Sequence, residues 1–130
     1  MNKLIVAFLS FAIFSFLLIQ PTFAAPKVKY SPQAVSILNH NQTNLKTTFI
    51  NIKKATEISY TLTYEAQGVP QGVGGVIVPG GKNVVFKNIT IGTCSSGTCV
   101  NHKKIKKMKL EVVYTFPGKT ITKTYKINAK

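Results

Sequence analysis

Cys94 and Cys99 are the only cysteines of the chain, and they stand in the near-repeat Gly92-Thr93-Cys94-Ser95-Ser96-Gly97-Thr98-Cys99. Two cysteines facing each other across a short hairpin loop bring their Cβ atoms within disulfide reach. Gly97 is free to take the positive φ that such loops need. The spacing predicts a bridge across a four-residue loop. The closed ring is short, so chain entropy supplies only about 2 kcal/mol, enough to pin a turn but not to hold a domain together. Two other chemistries use cysteine. A redox-active pair favours Cys-x-x-Cys spacing, which this is not. Zinc would need His102, three residues past Cys99, and a fourth ligand, with His40 the only other histidine. The disulfide is the expected state, and neither a metal nor a cofactor is expected.

Catalytic constellations are equally sparse. The only acids are Glu57, Glu65 and Glu111. Strand alternation puts Glu65 and Glu111 on wet faces, where a solvated role is the default. Ser95 or Ser96 could in principle meet His102, but no nucleophile-elbow motif surrounds them. The glycines of Gly72–Gly75 and Gly80–Gly81 follow no phosphate-loop spacing. Asn41-Gln42-Thr43 and Asn88-Ile89-Thr90 match the N-glycosylation acceptor pattern, a short match that arises by chance in a bacterial chain. The expectation is a protein that is not an enzyme.

Charge is the chain's strongest bias. All 17 basic residues are lysines, against three acids, for a formal net charge of +14. Such a charge eases contact with anionic polymers or membrane surfaces through counterion release and long-range attraction. Sites shaped for phosphates or carboxylates usually use the planar fork of arginine, and this chain has none. Two explanations therefore stand level: an anionic partner, or compositional drift with its gain in solubility. The densest run is Lys103, Lys104, Lys106, Lys107 and Lys109, read as a link after Cys99 and taken as the candidate contact for an anionic partner. No specific nucleic-acid recognition is indicated.

These residues must be placed by a small exported domain. Lys3 opens a short positive start, Leu4–Ile19 is a nearly unbroken apolar run, and Thr22-Phe23-Ala24 presents small residues for a signal peptidase. The run is shorter than a comfortable bilayer span. Cleavage after Ala24 leaves 25–130 as one domain, secreted or periplasmic, with no membrane span. Residues 25–44 are polar and turn-rich, with one possible strand at Ala34–Leu38. Leu45–Ile50 reads as the next strand, and Glu57–Ala66 alternates cleanly, with Ile58, Tyr60, Leu62 and Tyr64 on one face. Gln67–Gln71 reads as a turn, Gly72–Val78 as a glycine-rich strand at a bulge or edge, and Val84–Ile91 as a strand running into the disulfide turn. Lys107–Phe116 and Thr120–Asn128 form a hairpin around Pro117-Gly118-Lys119. Ile52-Lys53-Lys54 and Ile105-Lys106-Lys107 echo each other, as if opening two neighbouring central strands.

About seven short strands with turn signals between them, and no helical period, predict an all-β antiparallel sandwich. The run Tyr60-Thr61-Leu62-Thr63-Tyr64, Gly68 through Gly75 and the Gly92–Cys99 segment resembles small exported bacterial immunoglobulin-like or fibronectin-III-like domains. The chain departs from the antibody pattern in having no tryptophan and in the closeness of its cysteines. The resemblance implies a module that binds, spaces or displays. The expected function is a non-enzymatic binding or structural module that contacts anionic envelope polymers. The alternatives are a cationic membrane-active effector, which needs an exposed apolar face, and a periplasmic inhibitor that places the rigid disulfide turn in an enzyme's cleft. Sequencing the exported protein should give Ala25 as its first residue, whereas Met1 retained in a membrane fraction would overturn the leader.

Overall fold

The computed structural model describes residues 31–128; the leader expected at 1–24 and residues 25–30 lie outside them. Period-two alternation builds nine strands among the described residues: β1 (Gln33–Leu38), β2 (Asn44–Ile50), β3 (Glu57–Ala66), β4 (Val69–Ile77), β5 (Val84–Thr90), β6 (Gly92–Ser95), β7 (Thr98–Asn101), β8 (Ile105–Phe116) and β9 (Lys119–Ile127). All pair antiparallel. They form a three-stranded sheet of order β1-β2-β5, a four-stranded sheet of order β4-β3-β8-β9, and the separate hairpin β6-β7. No helix among the described residues is long and apolar enough to cross a membrane.

The inner faces of the two larger sheets share one buried cluster. Leu45 and Phe49 of β2 join Ile58, Tyr60, Leu62 and Tyr64 of β3, and Met108, Leu110, Val112 and Tyr114 of β8. The Phe49 and Tyr60 rings meet across the layers at 6.3 Å between centroids. Thr47 is the one polar side chain in this interior among the described residues, and its hydroxyl shares a 2.9 Å hydrogen bond with Ser36 of β1. A second link crosses the layers at β9. The Ala34 amide donates to the Tyr125 hydroxyl at 3.0 Å, and Tyr125 meets the Tyr114 hydroxyl at 3.3 Å. Burial and that neighbour push the Tyr114 phenol far above its ordinary range, so it serves as a neutral O–H.

Three local readings of the sequence need correction. The turn expected at Gln67–Gln71 is only Gln67-Gly68, both at positive φ, and β4 begins at Val69 rather than Gly72. Pro70 is tolerated there because β4 is an edge strand. Its pairing with β3 contains no bulge, and the Tyr60 ring lies where a Cβ on Gly75 would sit. The four-residue loop between the cysteines is a two-residue turn, Ser96-Gly97, again with both residues at positive φ and Ser95 paired with Thr98. That turn closes strands β6 and β7, which bring the total to nine where the spacing predicts about seven.

The third correction concerns the lysines. The unpaired link is only His102–Lys104, and β8 starts at Ile105. Between the pairs Thr63–Lys109 and Glu65–Lys106, β3 spends one residue and β8 two. Lys107 carries the extra residue at φ 53°. Strict alternation from Ile105 would turn Lys107 inward and Met108 out. The bulge resets the phase, so Ile105 and Met108 are both buried while Lys106 and Lys107 are both exposed. β3 and β8 are the neighbouring central strands of their sheet, but the echo is not one corner used twice: Ile52-Lys53-Lys54 lies in the turn before β3, whereas Ile105-Lys106-Lys107 is the bulged start of β8 itself.

Leu110 is fully buried on the face opposite Lys109. Leu110→Ala should cost roughly 2–5 kcal/mol in denaturant unfolding, because the side chain leaves a cavity. Lys109→Ala should be near neutral in the same measurement. Equal losses would mean the faces are assigned one residue out of phase.

Candidate functional site

The disulfide is present, joining Cys94 to Cys99 across the β6-β7 pair with 4.0 Å between Cα atoms. The hairpin it closes packs on neither larger sheet along its length, and every residue from Thr93 to Asn101 is exposed. Its base is held firmly. The Ile91 amide donates to the Thr43 carbonyl at 2.8 Å, and the His102 amide donates to the Ile91 carbonyl at 3.3 Å. A Cβ on Gly92 would strike the Val100 carbonyl, so only glycine lets the two strands approach there.

His102, weighed from sequence as a zinc ligand, is the main fastening of that base. Its Nδ1 shares a 2.9 Å hydrogen bond with the Tyr64 hydroxyl, and its Nε2 lies 3.2 Å from the Thr93 hydroxyl. Burial raises the Tyr64 phenol above its ordinary range, partly offset by a backbone contact with Gly92, so it stays a neutral hydroxyl. Both ring nitrogens are thereby engaged, one with each hydroxyl. No group of three or more His, Cys, Asp or Glu that could hold a metal occurs among the described residues.

The candidate lysines divide into three situations. Lys103 and Lys104 lie in the short link at the hairpin's base, Lys104 at φ 55°. Lys106 and Lys109 project from β8 onto the outer face of the four-stranded sheet. Lys107 is already engaged, its ammonium 2.9 Å from the Glu65 carboxylate. That pairing holds the Glu65 carboxyl below its usual range and the Lys107 ammonium above its own, through a hydrogen bond and charge attraction.

Sequence reasoning missed one member. Lys126 of β9 is paired directly opposite Lys109. The signal was available: the turn at Pro117-Gly118 pairs Phe116 with Lys119, and counting back from it sets Lys109 against Lys126. Like charges directly opposite on a sheet destabilise it. Beside them lies a depression of about 620 Å³, with Ile105, Met108 and Ile127 among its lining and Lys106, Lys109 and Lys126 around it.

Elsewhere, the outer face of the three-stranded sheet exposes an apolar row, with Val35 and Phe86 flanking Thr48, and Ile37 beside Lys46. Comparison with protein-family models, with curated proteins and with solved structures finds no match to this chain. Replacing both Cys94 and Cys99 by Ser should lower stability by about 2 kcal/mol or less and leave the two larger sheets folded. Complete loss of the folding transition in that variant would show that the hairpin anchors the domain.

Proposed function

We propose that this protein is an exported, non-enzymatic β-sandwich module of the fibronectin-III-like kind, and that it contacts anionic envelope polymers through the lysine end of its four-stranded sheet. The strand orders β1-β2-β5 and β4-β3-β8-β9 support the sandwich, because the fourth strand joins the third rather than the edge of the three-stranded sheet. An intramolecular disulfide suits an oxidising compartment.

The observation that carries the contact is the pair Lys109–Lys126, set directly opposite each other with Lys106 on the same strand end and Lys103 and Lys104 just before it. Among the described residues the only ion pair in this group is Lys107–Glu65, and the same Glu65 sits opposite Lys106 in the β3-β8 register. An anionic polymer lying across the strand ends would relieve the repulsion of the others and release its own counterions. The surface is a charged one, not a shaped receptor, so sequence selectivity toward nucleic acid is not expected. The membrane-active alternative is weaker. Its apolar row sits on the outer face of the other sheet, and a planar bilayer cannot meet both faces at once. One observation favours the inhibitor reading as a second choice: the uncharged hairpin projects rigidly and is pre-organised by its disulfide and His102.

Polyphosphate binding over a salt series tests the main reading. One variant replaces Lys103, Lys106, Lys109 and Lys126 by Ala; the control replaces Lys53, Lys54, Lys82 and Lys119, so both have the same net charge. Each lysine removed from the contact should lower the slope of log affinity against log salt by about 0.7–0.9. The control should keep most of the slope. Equal losses would make the affinity a property of the whole surface.

A further inference from the structure

The four-stranded sheet ends in two edges of equal length and opposite character. β9 carries Lys119, Lys123 and Lys126, while β4, Val-Pro-Gln-Gly-Val-Gly-Gly-Val-Ile, carries no charge at all. An edge strand offers a row of unpaired N–H and C=O groups, and chains protect such rows with lysines, bulges, prolines or short length. β9 has the lysines. β4 has only Pro70 near its start, and its register with β3 runs unbroken from Ala66–Val69 to Ile58–Ile77. Val69 and Val76 along it, and Val78 just beyond, are all more than half exposed.

The neighbouring charge matches. β3 and β4 together hold no lysine, and Glu57 and Glu65, two of the three acids in the chain, lie on β3. The other edges of the two larger sheets are less open: β5 carries Lys87, and the edge of β1 is turned toward β9, where Tyr125 takes the Ala34 amide hydrogen. The β6-β7 hairpin is also uncharged, but its strands are only four residues long against nine for β4.

We propose that β4 is a self-association edge, on which two copies of this chain pair β4 to β4 antiparallel about a two-fold axis to form one eight-stranded sheet. A two-fold contact sets a strand against itself, so any lysine on it would face or closely neighbour its own counterpart. For a chain of net charge +14, an uncharged edge on a strand pair without lysine is where copies can approach, even though Glu65 is already held by Lys107. This interface stands apart from the lysine end, which lies on β8 and β9 and remains free at the far sides of the extended sheet. The two contacts also respond oppositely to salt. Screening weakens a polyanion contact but favours association of two like-charged copies.

Sedimentation equilibrium of the purified protein tests the proposal. An edge contact of this size belongs to the weak class, so the weight-average mass should climb from monomer toward dimer between about 10 µM and about 1 mM, and further at high salt than at low. Gly72→Lys with Val76→Lys places charge on exposed β4 positions. At Gly72 the nearest atom to an added Cβ is the Leu62 carbonyl oxygen at 3.7 Å, an ordinary contact. This variant should weaken association at least about tenfold. Thr122→Lys with Thr124→Lys, the same charge on β9, should leave it unchanged. A protein monomeric over the whole range overturns the proposal, as does equal weakening by the two variants. Should the β4 variant fail to fold, amide exchange of the unaltered protein decides: protection along β4 that rises with concentration supports the pairing. Protection that is independent of concentration overturns it, and means the edge is free or covered from within the same chain.

Discussion

The pairing of β3 with β8 is the constraint on which the rest depends. These two strands supply most of the buried side chains of their sheet, and their register contains the single irregularity among the strand pairings of the described residues, between Thr63 and Glu65. Without the extra residue at Lys107, the start of β8 would run out of phase. Met108 would face water, and a lysine would enter the apolar interior next to Leu62 and Tyr64, an arrangement that burial of an unpaired charge makes very costly. One bulge thus fixes two things together. It closes the core at this end, and it puts Lys106 and Lys107 side by side on the outside, where Glu65 holds Lys107.

The three-stranded sheet depends on the four-stranded one in a different way. β1 is short, with only Ala34 buried outright, and little of its own surface would hold it in place. Two polar links compensate. Ser36 satisfies the buried hydroxyl of Thr47 within the sheet, and Tyr125 reaches across from β9 to accept the Ala34 amide hydrogen. The second link ties the first and last strands of the described chain. The Tyr125 hydroxyl accepts from the Ala34 amide on one side and shares a hydrogen bond with the Tyr114 hydroxyl on the other. A partly buried group satisfied on both sides costs little, whereas the same group with one partner removed would leave an amide and a phenol unpaired.

Much of this was legible in the sequence, because alternation is a local property. Ile58, Tyr60, Leu62 and Tyr64 declare their face in one stretch and are buried as read, and Leu45, Thr47 and Phe49 of β2 show the same alternation. The disulfide was legible from the cysteines, the turn glycine and the expected export leader taken together. What escaped was phase and length. The bulge at Lys107 could not be read, because a lysine pair between Ile105 and Met108 looks the same in a loop as in a bulged strand. The early start of β4 was hidden by Pro70, which argues against a strand unless the strand is known to be an edge. Tyr64 holding His102 was likewise out of reach, since it joins residues thirty-eight apart through a hairpin that local pattern treats as a simple loop. Lys126 was different. Turn-to-strand counting already determined its position opposite Lys109, and the information lay unused.

The distribution of charge bears on the two explanations of the lysine excess. Drift in composition would add lysine wherever a solvent-facing position tolerates it, and the outer face of β3 and β4 offers several such positions at Thr61, Thr63, Gly72 and Val76. None of them is lysine. Six of the thirteen lysines among the described residues gather where β8 enters the sheet and β9 leaves it, with Lys109 set against Lys126, while β3 and β4 of the same sheet carry none and hold two of the three acids. A sheet with one cationic end and one neutral edge is what two separate contacts would require, one with an anionic chain and one with a second copy.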